Sequence, residues 1–132
     1  MDDLYRELII ERYKNPQFQG ELEPCDIRFE DENPLCGDHL RIDLRVDNNG
    51  VVKEAAFSGH GCAISQASAD LLLESVIGKT LDEVKGLGKQ DVLDLLGIEL
   101  GPVRLKCALL SLKVLKGGVY GLGEASDSLV EG

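Results

Sequence analysis

Three of the four cysteines stand where the pattern of the chain breaks or an element begins. Cys36 lies in Asn33-Pro34-Leu35-Cys36-Gly37-Asp38, between two stretches of strand character. Cys62 lies in Gly59-His60-Gly61-Cys62, just ahead of a helical stretch, and Cys107 sits about one and a half turns into a helix that opens at Pro102. Glycines beside Cys36 and Cys62 let backbone or a ligand come close. A cysteine ahead of a helix faces free N–H groups and the positive end of the macrodipole, which favour thiolate. Arg104 and Lys106 put positive charge near Cys107 in the same sense. Three thiolates and one oxygen or nitrogen make a tetrahedral set suited to zinc, and equally to an iron–sulfur cluster. Asp38, two residues after Cys36, is the natural fourth ligand. His60 is a second candidate for that place, or a proton donor to a leaving thiolate; its plainer reading is a loop residue that shapes the site. The separations, 26 and 45 residues, are not those of a compact zinc finger, so spacing alone leaves unrelated thiols open beside a metal site.

Cys25 reads differently. It alternates with Ile27 and Phe29 and is expected to be a small buried hydrophobe within a strand. His39 opens a strand and is expected to be exposed.

The elements that must bring these residues together follow from hydrophobic period. Residues 2–14 read as a helix stopped by Asn15-Pro16. Residues 25–30 and 39–46 alternate with a period of two, Leu40, Ile42, Leu44 and Val46 pointing inward. Asp47-Asn48-Asn49-Gly50 is a hairpin turn leading to a third strand over 51–57. Gly59-His60-Gly61 breaks that strand, and a helix follows from about Ser65 to Ile77. Thr80-x-x-Glu83 is a capping box for a short helix, residues 89–96 form another, and a last helix runs from 102 to about 116, ended by Gly117-Gly118. Val103, Cys107, Leu110 and Val114 form one stripe facing the body of the protein. Strands and helices are segregated, which predicts an α+β fold: a three-stranded antiparallel sheet with helices packed on one face. The length, 132 residues, fits one domain, with about 118–132 as a flexible C-terminal tail.

Composition narrows the function. Fourteen Lys and Arg against 24 Asp and Glu give a net charge of −10, so a nucleic acid is repelled and an anionic membrane disfavoured. No apolar stretch approaches the ~20 residues that cross a bilayer. The acidic start, MDDLYRELII, lacks the basic region of a targeting signal. The expected compartment is the cytoplasm, where thiols stay reduced and cysteines serve as ligands or nucleophiles.

Asn33-Pro34-Leu35-Cys36-Gly37-Asp38, Gly59-His60-Gly61-Cys62-Ala63-Ile64-Ser65-Gln66-Ala67-Ser68 and Arg104-Leu105-Lys106-Cys107-Ala108, in this order, resemble the IscU/SufU family, the NifU N-terminal-domain-like proteins of iron–sulfur cluster assembly. The resemblance spans about residues 3–117. It implies that Cys36, Asp38, Cys62 and Cys107 hold the metal and cluster. It implies a pyridoxal-phosphate-dependent cysteine desulfurase as partner, whose persulfide sulfur passes to cysteines of this set; Cys36 and Cys107 are the candidate acceptors. Arg104 is read as a charge that swings toward a bound cluster or a persulfide, or, more plainly, as a solvated helix position. In scaffold members, iron and electron donors complete a transient [2Fe–2S] cluster that passes to apo iron–sulfur proteins. In the SufU branch, zinc occupies the cluster-free site and a cysteine relays sulfur as a sulfurtransferase. The Cys-Ala-Ile-Ser-Gln-Ala-Ser stretch and Lys106, where scaffolds carry His, are SufU-like; the lack of the SufU insertion before the last motif is scaffold-like. Leu100-Gly101-Pro102-Val103-Arg104 matches the scaffold chaperone motif Leu-Pro-Pro-Val-Lys only in part, so an Hsp70-type chaperone is the partner this resemblance supports least. A purely structural zinc module is disfavoured, because such sites gather closely spaced Cys and His pairs.

Overall fold

A computed structural model describes residues 2–33 and 37–120. The order is α1 (Asp2–Lys14), β1 (Ile27–Asn33), β2 (Asp38–Val46), β3 (Val52–His60), α2 (Ala63–Val76), α3 (Leu81–Lys85), α4 (Lys89–Leu96) and α5 (Pro102–Tyr120). The three strands form an antiparallel meander, β1-β2-β3. Ile27 pairs with Leu44 and Asn33 with Asp38 at the two ends of β1; His39 pairs with His60 where β2 begins and β3 ends. Leu40, Ile42 and Leu44 of β2 and Phe57 of β3 are buried against α2 and α5, whose Leu72, Leu73, Val76, Leu112 and Leu115 complete the same core. The expected α+β arrangement is the one observed.

The β2–β3 turn is fixed by its own side chain: Asp47 Oδ1 accepts the N–H groups of Asn49 and Val51 at 2.9 and 3.0 Å, and Gly50 supplies φ +75°. Thr80 and Glu83 form the expected capping box at α3, and α4 occupies the expected residues. The outer edge of β3 is not open. Phe57 donates its N–H to the Phe18 carbonyl at 2.9 Å and accepts from Gly20 N–H at 2.8 Å, so the segment after α1 pairs with that edge.

That segment is held by Asp70 of α2, which is wholly buried. Its Oδ1 accepts the N–H groups of Gln17 and Phe18, both at 2.8 Å, and its Oδ2 receives Arg12 at 2.8 Å. Arg12 also grips Glu74 with both oxygens at 2.9 Å. One buried carboxylate thereby fastens α1 and the strand-edge cover to α2, with its charge compensated as a buried ion requires.

Four local expectations are corrected. Cys25 precedes β1, which begins at Ile27, and is half-buried. β3 does not break at Gly59 but runs to His60. A Cβ at Gly59 would fall on the carbonyl oxygen of His39, so glycine is what lets the two strands stay paired there. The last helix does not stop at Gly117-Gly118 but continues to Tyr120, because Gly118 lies against Ile27 and Phe29 of β1, where a Cβ would sit 3.0 and 3.2 Å from their side chains. Residues 118–120 of the expected tail are therefore helical; the rest of it, residues 121–132, lies outside the described residues. In the α5 stripe, Cys107, Leu110 and Val114 are buried, but Val103 is 55% exposed, its turn projecting past the packed body.

Candidate metal centre

Asp38 is the first residue of β2, and its carboxyl group turns to the side on which Leu40 and Ile42 meet the helices. Cys62 is the residue that precedes the first turn of α2, with extended backbone (φ −73°, ψ 170°). The two are joined directly: Asp38 Oδ1 accepts the Cys62 N–H at 3.1 Å, and Cys62 Sγ lies 3.7 Å from Asp38 Oδ2. Asp38 thus satisfies one of the unpaired donors at the start of α2, which the Cys62 side chain leaves unserved. Ser65 adds a second tie, its hydroxyl donating to the Cys62 carbonyl at 3.0 Å.

Gly61 makes this approach possible. A Cβ there would fall on Ser65 Oγ and within 2.8 Å of the Asp38 carboxyl carbon and Oδ1. The glycine leaves the room in which the carboxylate sits.

Cys107 arrives from α5. It is fully buried, and α5 is positioned against α2 by Ser68, whose hydroxyl donates to the carbonyl of Ala108 at 2.7 Å and lies 2.9 Å from Ser111 Oγ. The Ala108 carbonyl is the next residue's to Cys107, so this buried pair of serines fixes the height of Cys107 along the interface.

One ligand atom each from Asp38, Cys62 and Cys107 lies within 4.8 Å of the others. Ligands at 2.0–2.3 Å from a common tetrahedral ion stand roughly 3.3–3.8 Å apart, so no pair needs to approach by more than about 1.5 Å. Two sulfurs and one carboxylate oxygen form a mixed set that suits zinc or iron. Of the residues singled out in the sequence, these three converge. Cys36 lies outside the described residues. Arg104 and Lys106 are exposed on the first turns of α5. His60 is exposed and is not in the group; its ring stacks on His39. His39 is partly covered rather than fully exposed, with Nε2 3.1 Å from Glu30 Oε2. Gly61 has the close-approach role expected of a glycine beside Cys62, whereas the positioning roles of Ser65 and Ser68 are not legible in the sequence, because small residues on an amphipathic helix carry no signal of what they will touch.

No helix among the described residues is long and apolar enough to cross a membrane. The family model described as the NifU-like N-terminal domain matches residues 4–125. The zinc-dependent sulfurtransferase SufU of Bacillus subtilis is 35% identical over 136 aligned positions, covering 90% of this chain and 91% of its own. The iron–sulfur cluster assembly scaffold protein IscU of Thermotoga maritima is 36% identical over 129, covering 86% and 90%. Among solved structures, a SUF-system cluster assembly scaffold protein from Fervidobacterium islandicum superposes with a TM-score of 0.75 at 29% identity, covering 86% of this chain and 94% of that one. The N-terminal part of a NifU-like protein from Brucella abortus shares the fold, with a TM-score of 0.71 at 24% identity.

Proposed function

The chain belongs to the NifU-like N-terminal domain family, and from that footing we propose that it is an iron–sulfur cluster assembly scaffold. The observation that carries the reading is the convergence of Asp38, Cys62 and Cys107 from three separate elements onto one point. Cys36, two residues before Asp38, completes the proposed set. Zinc fits the same donors in the cluster-free form, where it would hold the thiolates deprotonated.

Sulfur would come from a pyridoxal-phosphate-dependent cysteine desulfurase that carries it as a persulfide. A thiolate of this chain attacks the outer sulfur; a new S–S bond forms here, the desulfurase S–S bond breaks, and its cysteine leaves as thiolate. Cys36 and Cys107 are the proposed acceptors. Cys107 is wholly buried, so a persulfide carried on another protein reaches it only when the residues that cover it move. Arg104, exposed nearly one turn before Cys107, is placed to meet the negative charge of an incoming persulfide. Ferrous iron and electrons come from separate donors, and the product is a [2Fe–2S] cluster passed to apo iron–sulfur proteins. Asp38 as an oxygen ligand binds iron less firmly than a fourth thiolate, which keeps that product transferable. The proposed compartment is the cytoplasm.

A second reading, a zinc-dependent sulfurtransferase, is favoured by Lys106 ahead of Cys107 and by the likeness to the Bacillus subtilis protein. One experiment separates the two. The protein is incubated anaerobically with ferrous iron, cysteine, a reductant and a cysteine desulfurase, then with an apo-ferredoxin. The scaffold reading expects a visible chromophore with two iron and two sulfide per chain that moves to the ferredoxin. No chromophore, with the zinc-loaded protein accelerating the desulfurase, would establish the relay instead.

A further inference from the structure

The outer face of the sheet carries a second cluster of ligand-type side chains that the thiolate site does not use. His39 and His60 are register partners across β2 and β3. Residues in register on neighbouring strands share a face, and alternation puts these two opposite to Asp38 and Leu40. Their rings stack with centroids 6.0 Å apart and planes inclined by 27°. Across the other ladder, Glu32 of β1 is the register partner of His39, and Glu30 lies two residues along on the same face. Glu30 Oε2 stands 3.1 Å from His39 Nε2.

We propose that His39, His60 and Glu30 form a second, solvent-open site for a divalent first-row transition-metal ion. The donors are two imidazoles and one carboxylate, a set suited to ferrous iron, nickel and zinc. The 3.1 Å between His39 Nε2 and Glu30 Oε2 is close to the roughly 3.0–3.4 Å expected of two ligands about 2.1 Å from one ion. His60, exposed at the end of β3 with its ring centroid 6.0 Å from that of His39, joins the set after a side-chain rotation. Glu32 adds negative charge beside these donors, and Arg41, the register partner of Glu30, is turned to the Asp43 carboxylate, which accepts from it at 3.1 Å. The site rests on these three side chains alone and stands whether or not the thiolates build a cluster.

The test loads the full-length protein with one equivalent of zinc and titrates Ni²⁺ by calorimetry, with zinc content measured before and after. The expected result is one equivalent of bound Ni²⁺ with zinc retained. His39→Ala, His60→Ala and Glu30→Gln should each weaken that binding by about tenfold or more, and His39→Ala/His60→Ala should remove it, with thermal melts unchanged. Cys62→Ser, which removes a proposed zinc ligand, should leave Ni²⁺ uptake on the histidines intact, so loss of one site is read separately from loss of the other. No Ni²⁺ uptake beyond displacement of zinc, or uptake that persists in the double histidine variant, overturns the proposal.

Discussion

The carboxylate of Asp38 holds the backbone of Cys62: its Oδ1 accepts the Cys62 N–H at 3.1 Å while Oδ2 lies 3.7 Å from Sγ. The first residue of a strand and the residue ahead of a helix, 24 positions apart, are thereby set in register with each other. The same group is both a proposed ligand and the support of its neighbour. Changing it should therefore have two separable effects. Asp38→Ala removes both, and zinc affinity should fall by about 10–100-fold. Asp38→Cys restores a ligand, and a softer one, so the assembled cluster should be retained longer in the presence of an apo-acceptor than in the wild type. Transfer kinetics followed by circular dichroism in the visible range check this; faster release from Asp38→Cys would contradict it.

Gly61→Ala places a methyl group against Ser65 Oγ and the Asp38 carboxylate. The fold should survive, since the change lies at the site rather than in the core, but the carboxylate must move. Metal affinity measured by competition with a chromophoric chelator should drop by about tenfold or more, with a far-UV spectrum like the wild type's. Unaltered affinity would mean that Asp38 does not need its present position.

Cys62→Ser should abolish zinc and cluster binding, whereas Cys25→Ala should leave metal content unchanged. Cys25 lies just before the end of β1 that pairs with Leu44, six residues along β2 from Asp38, or roughly 20 Å at the rise of a strand. Elemental analysis of the two purified variants decides the matter, and loss of metal from Cys25→Ala would place the site wrongly.

Ser68→Ala deletes the buried hydroxyl that bridges α2 to the Ala108 carbonyl and Ser111. The cost should be about 1 kcal/mol, read as a fall in melting temperature of roughly 3–5 °C. Because Ala108 follows Cys107, metal affinity should fall as well; a stability loss with affinity unchanged would show that the serine pair supports packing alone.

Acid should act through Asp43 on the outer sheet face. Burial pushes this carboxyl up, but hydrogen bonds from Arg41 and Arg28 and from the Leu22 N–H outweigh it and hold the group below the usual carboxylate range. A carboxyl depressed in the folded state contributes stability that is present above its unfolded value, about 3.9, and is lost as pH falls through the folded value. Denaturation midpoints for the wild type should therefore fall more steeply below about pH 4 than those of Asp43→Asn, which should be less stable at neutral pH by about 1–3 kcal/mol. Parallel pH profiles for the two would contradict this.

Much of the arrangement is legible from local chemistry. The Asp47–Gly50 turn, the Thr80–Glu83 cap and α4 are decided by residues within a few positions of each other, and the structure has them as expected. The departures share one cause. Gly59, Gly117 and Gly118 read as stops because glycine usually punctuates, yet Gly59 and Gly118 exist for close approach to His39 and to Ile27 and Phe29. That requirement comes from a distant segment and leaves no local trace. β1 likewise runs past residue 30, where the expected alternation ends, through the acidic stretch to Asn33, because β2 supplies its partner. The ligand types and their likeness to a family single out Asp38, Cys62 and Cys107; which small residues hold them in place becomes visible only once α2 and α5 are packed.

The central claim is that four groups scattered along the chain make one metal site. X-ray absorption at the zinc edge of the protein loaded with one equivalent of zinc tests it most directly. The account predicts three sulfur ligands at about 2.3 Å and one oxygen at about 2.0 Å, with no imidazole scattering. A first shell dominated by nitrogen and oxygen, or one unchanged in Cys62→Ser, would contradict it.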